Sequence, residues 1–178
     1  MKKAACLAAL AAVLLSGCGA SDSAYSCGDG SARAVFDYFF SDDMPWNETM
    51  DFEMSEFPNV RFSWDNMNVL AEENGETRSL YWGMPVWSVY LADLNGDGKR
   101  EICSAVSIGS GIIDERIIVY DYANDRQYQL AERFYYDYGL ELRDGALFYV
   151  RHPAHGDGDE TEAPLTLDAM TELEKPQI

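Results

Sequence analysis

From Phe52 onward the chain runs in short apolar segments rich in Val, Ile, Tyr, Phe and Trp, broken by turn residues. That rhythm predicts strands joined by hairpins. Asn74-Gly75 separates NVLAEE (68–73) from ETRSLYW (76–82). Asn124-Asp125 separates RIIVYDYA (116–123) from RQYQLA (126–131), and Asp144-Gly145 separates LELR (140–143) from ALFYV (146–150). Asn-Gly and Asp-Gly pairs supply the positive φ angles of a type I′ turn. Further strands are expected at NVRFSW (59–64), VWSVYLADL (86–94) and EICSAVSIG (101–109).

Alternation sorts these runs into faces. Ile102, Val106 and Ile108 share a face with Ser104, while Cys103, Ala105 and Ser107 share the other. Trp87, Val89 and Leu91 point one way; Val86, Ser88 and Tyr90 point the other. Such a sheet is covered, at least in part, on both faces. The expected fold is mainly β, an antiparallel meander of about seven strands forming a small sandwich or curled sheet, propeller-blade-like. The absence of a 20–50-residue period argues against a full propeller. One helix is expected, over Ala32 to Phe40 with Ser31 as its cap, because Ala32, Val35, Phe36, Phe39 and Phe40 recur at helical spacing.

The first residues follow another pattern. Lys2 and Lys3 precede an apolar run from Ala4 to Leu15, too short to span a bilayer comfortably, followed by Leu15-Ser16-Gly17-Cys18. This order resembles the lipobox of bacterial lipoproteins. The resemblance implies cleavage before Cys18, lipidation of Cys18, and anchoring on the extracytoplasmic face of the cell membrane; the alternative is an ordinary secretory peptide. Segment 1–17 then reads as a signal peptide, 18–30 as a lipidated Cys with a small, polar tether, and 31–175 as a single domain.

Charge narrows the partners. The chain has 31 acidic and 13 basic residues, a formal net charge of −18; Lys2 and Lys3 leave with the signal peptide. Such a surface repels phosphate backbones and anionic headgroups, so no nucleic acid is expected as partner. Cys27 and Cys103 would lie outside the cytoplasm, where a disulfide is possible. A free, buried Cys103 is the favoured reading, since unpaired Cys is among the most buried residue types.

Clustered carboxylates also suit divalent cations. In DLNGDGKREI (93–102), Asp93, Asn95, Asp97 and Glu101 fall at positions 1, 3, 5 and 9 of a loop between two expected strands. Gly98 allows a sharp turn, and Lys99 can offer its backbone carbonyl. Three carboxylates, one amide oxygen and one carbonyl make an oxygen set suited to Ca2+, with its tolerance for loose geometry. An EF-hand fits poorly, because strands flank the loop and position 12 is Ser104. A polar hairpin tip without an ion is the competing reading, but a turn does not require Asp93 and Glu101 as well.

VYLADLNGDGKREI resembles the calcium loop of the FG-GAP and VCBS repeat families. The resemblance implies Asp93, Asn95, Asp97, the Lys99 carbonyl and Glu101 as ligands of a structural calcium ion. Those families build multi-blade propellers that serve adhesion and ligand binding, whereas this chain has one such loop. Residues 57–130 are also similar to extracytoplasmic domains of clostridial-type bacteria, found as lipoproteins and as tails of beta-lactam-sensor-type membrane metallopeptidases. That similarity implies a sensor or accessory module.

No assigned reaction follows from the residues. His152 and His155 do not form H-E-x-x-H. With Asp157 and Asp159 they could compose a second metal site by composition, but an exposed polar loop after the last hairpin is the favoured reading. Ser110, in IGSGI, lacks the outer glycines of a nucleophile elbow. Trp46, Trp64, Trp82 and Trp87, with Tyr135, Tyr136 and Tyr138, are expected to fill the core; exposed together, they would mark a protein or glycan interface. The sequence therefore points to a non-enzymatic calcium-binding lipoprotein domain with a protein or cell-wall ligand. An envelope glycan hydrolase with a structural calcium loop is the alternative.

Overall fold

The computed structural model describes residues 31–154 and 158–174. Thirteen strands form three sheets, every pairing antiparallel. The central sheet has six strands in the order β1 (Arg33–Asp37), β6 (Ser88–Ala92), β7 (Glu101–Ile108), β8 (Asp114–Asp121), β9 (Arg126–Leu130) and β13 (Thr171–Leu173). A four-stranded meander, β2 (Met50–Phe52), β3 (Val60–Trp64), β4 (Asn68–Glu73) and β5 (Glu76–Trp82), covers one face. A three-stranded meander, β10 (Tyr136–Arg143), β11 (Ala146–Pro153) and β12 (Thr161–Pro164), covers the other.

Alternation along the central strands feeds two separate cores. Val89, Leu91, Ile102, Val106, Ile118 and Tyr120 pack against Phe62, Trp64, Val69 and Leu80 of the four-stranded layer. Their alternates Tyr90, Ala92, Cys103, Ala105, Ile117 and Val119 pack against Tyr138, Leu140 and Leu147. A strand buried on both faces needs its polar groups paired. Ser104 hydrogen-bonds the Tyr81 hydroxyl at 2.7 Å, and the Ser88 hydroxyl accepts from the Ala105 amide at 3.1 Å. Trp64, fully buried, donates its indole N–H to the Val86 carbonyl at 3.1 Å.

Two predicted hairpins have the expected backbone. Asn74 and Gly75 both take positive φ (54° and 82°), as do Asp144 and Gly145 (49° and 76°). At Asn124-Asp125 only Asp125 does (54°), in a four-residue loop closed by Asp121↔Arg126.

The expected helix at Ala32–Phe40 is instead strand β1, paired with β6 through Arg33↔Leu91 and Asp37↔Ser88. A register shift between Ala34 and Phe36 explains the misleading period. It puts Val35 and Phe36 both against the first core, while Ala32 and Phe39 join the second. A bulged strand thus imitates i, i+3, i+4 spacing. The described residues hold no α-helix; one 3-10 turn spans Leu167–Ala169. The strand count also exceeds the expected seven: β3 to β11 correspond to the nine runs picked out in the sequence, and β1, β2, β12 and β13 are short or irregular edge elements.

Candidate functional site

The loop between β6 and β7 is built from the side chains singled out by its sequence. Asp93 accepts from the Gly96 and Gly98 amides at 2.8 and 3.0 Å. Asn95 Oδ1 accepts from the Asp97 amide at 2.8 Å, and Asp97 Oδ1 from the Lys99 amide at 2.8 Å. Gly96 and Gly98 take φ of 74° and 82°, which a side chain would strain. The oxygen-bearing side chains therefore curl the backbone around themselves.

Glu101 closes the loop. Only 1% exposed, it accepts from the Leu94 amide at 2.7 Å and from Asn95 Nδ2 at 2.8 Å. Burial, with Asp121 and Asp93 nearby, raises its pKa to about 7 against the hydrogen bond from Leu94. Arg100 does not compensate it. That guanidinium reaches Glu56 at 3.1 Å, and Arg33 meets the same carboxylate through two bonds of 2.8 and 2.7 Å. Those bonds hold the Glu56 pKa down at about 2. A cavity of about 340 Å³ opens between the loop (Asp93, Gly98 and Lys99) and Glu56, Phe57 and Tyr122.

Glu101 thus meets Asn95 directly, with Asp93 close enough to act on its charge, whereas the Asp97 and Lys99 positions lie on the exposed rim. Among the described residues no three His, Cys, Asp or Glu side chains converge closely enough to hold a metal ion. The donor set nevertheless fits a hard cation. Each carboxylate offers about four lone-pair sites, and the loop amides occupy only one per oxygen. Asp97 Oδ1 has one amide partner, and Glu101 Oε1 one amide donor from Asn95.

The other predicted groups are dispersed. His152 pairs with Glu160 at 3.0 Å on an exposed edge, and Asp159 lines a groove with Tyr135 and Arg151; His155 and Asp157 lie outside the described residues, as do Cys18 and Cys27. Cys103 is free and buried in the second core. Ser110 sits exposed in the β7–β8 loop. Glu115, overlooked in the sequence, is the second carboxylate with a pKa raised to about 7, by burial and by Asp137 and Asp114. It pairs in register with Ser107. Six residue steps along β7 therefore separate it from Glu101, roughly 20 Å, well beyond the reach of a two-carboxylate glycosidase pair.

Aromatic residues divide between core and surface. Trp64 and Tyr138 are fully buried. Phe40 (66% exposed) and Trp46 (53%) flank the half-buried Trp87, with ring centroids 5.6 and 6.2 Å from it. Asn66 fixes this arrangement by donating to the Pro45 carbonyl at 3.2 Å and accepting from the Asn47 amide at 2.9 Å. No family model matches the chain, and comparison with curated proteins and with solved structures finds no match.

Proposed function

We propose that the protein is a non-enzymatic, lipid-anchored extracytoplasmic binding module whose β6–β7 loop carries a structural calcium ion. The observation that carries this reading is Glu101. A buried carboxylate beside Asp93 and Asp121, with only neutral hydrogen-bond donors, is electrostatically incomplete. A cation resolves it. Asp93, Asp97 and Glu101 would hold the ion with the Lys99 carbonyl and the Asn95 amide oxygen, once Asn95 turns the amide nitrogen away from Glu101.

The ion would act locally. It would neutralise the loop and fix the hairpin between β6 and β7, on which the register of both cores depends. An extracellular module needs only a dissociation constant of about 10⁻⁴–10⁻³ M. The resemblance of VYLADLNGDGKREI to FG-GAP and VCBS calcium loops supports the same ligand set, and Leu15-Ser16-Gly17-Cys18 supports the anchor. The exposed aromatic end supports a binding role.

Calorimetric titration of the full chain with calcium tests the loop. Saturable heat with one site is expected for the wild type, and strongly reduced heat for Asp97→Ala. Absence of heat in the wild type reduces the segment to a polar turn. Fractionating cells that express Cys18→Ser tests the anchor separately. Membrane retention with the same processed N-terminus as wild type excludes lipidation at Cys18.

A further inference from the structure

The aromatic end lies at the far end of β6 and β7 from the calcium loop. Trp87 precedes β6 and Asp93 follows it, about 20 Å apart along an extended chain. Around Trp87, Phe40 and Trp46 form a notch: the Trp46 and Trp87 rings stand at 80°, and Phe40 and Trp87 at 50°. Backbone bonds extend this surface. The Met67 carbonyl accepts from Gly83 at 2.8 Å, and Met84 donates to the Ser107 carbonyl at 2.6 Å. Exposed Met67, Trp82 and Met84 follow the same end, and the neighbouring loop after β7 exposes Ile112 and Ile113. So many large apolar side chains exposed together mark an interaction surface.

Charge in the segments that frame the notch is one-sided. Segments 38–49, 65–68, 82–87 and 107–114 contain no Lys, Arg or His, but they contain Asp42, Asp43, Glu48, Asp65 and Asp114. Asp42, Asp43 and Glu48 are exposed and bracket Trp46 in sequence. The next base along the chain, Arg116, is engaged by Asp114.

We propose that this end docks a basic amphipathic polypeptide segment, its apolar face in the Phe40–Trp87–Trp46 notch and its cations over the acidic rim. The proposal rests on reading the protein as a binding module, and it names the partner's chemistry. A second copy of the chain would bring the same carboxylates face to face. An anionic membrane would be repelled by them. A sugar ring stacks best on flat, coplanar aromatic faces, whereas these rings are crossed and continue into Met and Ile side chains. Methionine suits adaptable apolar contacts with peptide side chains.

The test uses the full chain and a synthetic amphipathic helix of leucine and lysine, with leucine/glutamate and serine/lysine peptides as counter-probes. Tryptophan fluorescence reads binding. The leucine/lysine helix is expected to bind about tenfold or more tightly than either counter-probe. The double variant Phe40→Ser/Trp46→Ser is expected to lose about tenfold or more in affinity. Its melting temperature and calcium response should match wild type, which separates this result from failure of the calcium reading. Asp42→Asn/Asp43→Asn/Glu48→Gln is expected to weaken binding and flatten its salt dependence. Unchanged affinity in Phe40→Ser/Trp46→Ser, or equal binding of the serine/lysine peptide, overturns the proposal. So does an absence of peptide binding where that double substitution instead abolishes dimerisation, co-sedimentation with phosphatidylcholine vesicles, or retention on a peptidoglycan fragment.

Discussion

Glu101 and Glu115 occupy opposite ends of the central sheet, and both resist ionisation for the same first reason, burial among other carboxylates. Glu115 makes the simpler case, because it belongs to no proposed ion site. Asp137 faces it from β10, accepting from the Glu115 amide at 3.2 Å, and Asp114 adjoins it in β8. A carboxyl with a pKa near 7 in the folded state and about 4.5 in the unfolded one binds protons more tightly when folded. Its contribution to stability is therefore greatest below about pH 4.5 and is lost as pH rises through about 7. Without a cation, Glu101 adds the same sign. Glu56 acts oppositely, since its contribution is present above about 4.5 and lost as pH falls towards 2. In chelator, the melting temperature should fall between pH 5 and pH 8, and Glu115→Gln should flatten that slope. A wild-type melting temperature that rises across this interval contradicts the assignment. A packing prediction belongs to the same scale. Trp64 is fully buried, stacks with Tyr38 at 5.7 Å and packs at a tilt against Phe36 at 4.7 Å. Trp64→Ala should cost about 3–5 kcal/mol in a denaturant titration. None of the roles of Glu115, Asp121 or Asn66 was legible in the sequence, because each depends on what another strand brings alongside it.

At the scale of elements, the readable features were those with a local cause. Asn74-Gly75 and Asp144-Gly145 demanded their turns, and the alternation of residues 101–108 announced a strand covered on both faces. Strand β1 was misread because its partner, β6, lies more than fifty residues away and imposes a bulge that no local pattern records. Strands β2, β12 and β13 have three or four residues each and are extended only through their neighbours. Two glycines separate conformational from steric demand. At Gly75 a Cβ would meet nothing within 4 Å, and the cost lies in φ of 82° alone. Gly75→Ala should destabilise by about 1 kcal/mol. At Gly83 a Cβ would lie 2.6 Å from the Pro85 carbonyl oxygen and 2.9 Å from Val106 Cβ, at the edge of the first core. Gly83→Ala should cost more, about 2–3 kcal/mol. Equal denaturant midpoints for the two variants would contradict this packing at Gly83.

Across the whole molecule, excess negative charge opposes compaction, and the paired Arg33–Glu56–Arg100 cluster is a local exception. Any divalent salt will relieve some of that repulsion, so a general gain in stability does not identify a site. The discriminating measurement is a thermal melt of the full chain at fixed ionic strength, in calcium, in magnesium and in chelator, for wild type and for Asp97→Ala. Free calcium at 100 times the dissociation constant should stabilise the fold by roughly 2.7 kcal/mol, a rise of several degrees. Magnesium should give less, and Asp97→Ala should respond equally weakly to both ions. Identical wild-type curves in calcium and magnesium, or an Asp97→Ala response as large as that of wild type, would contradict a calcium ion in the β6–β7 loop.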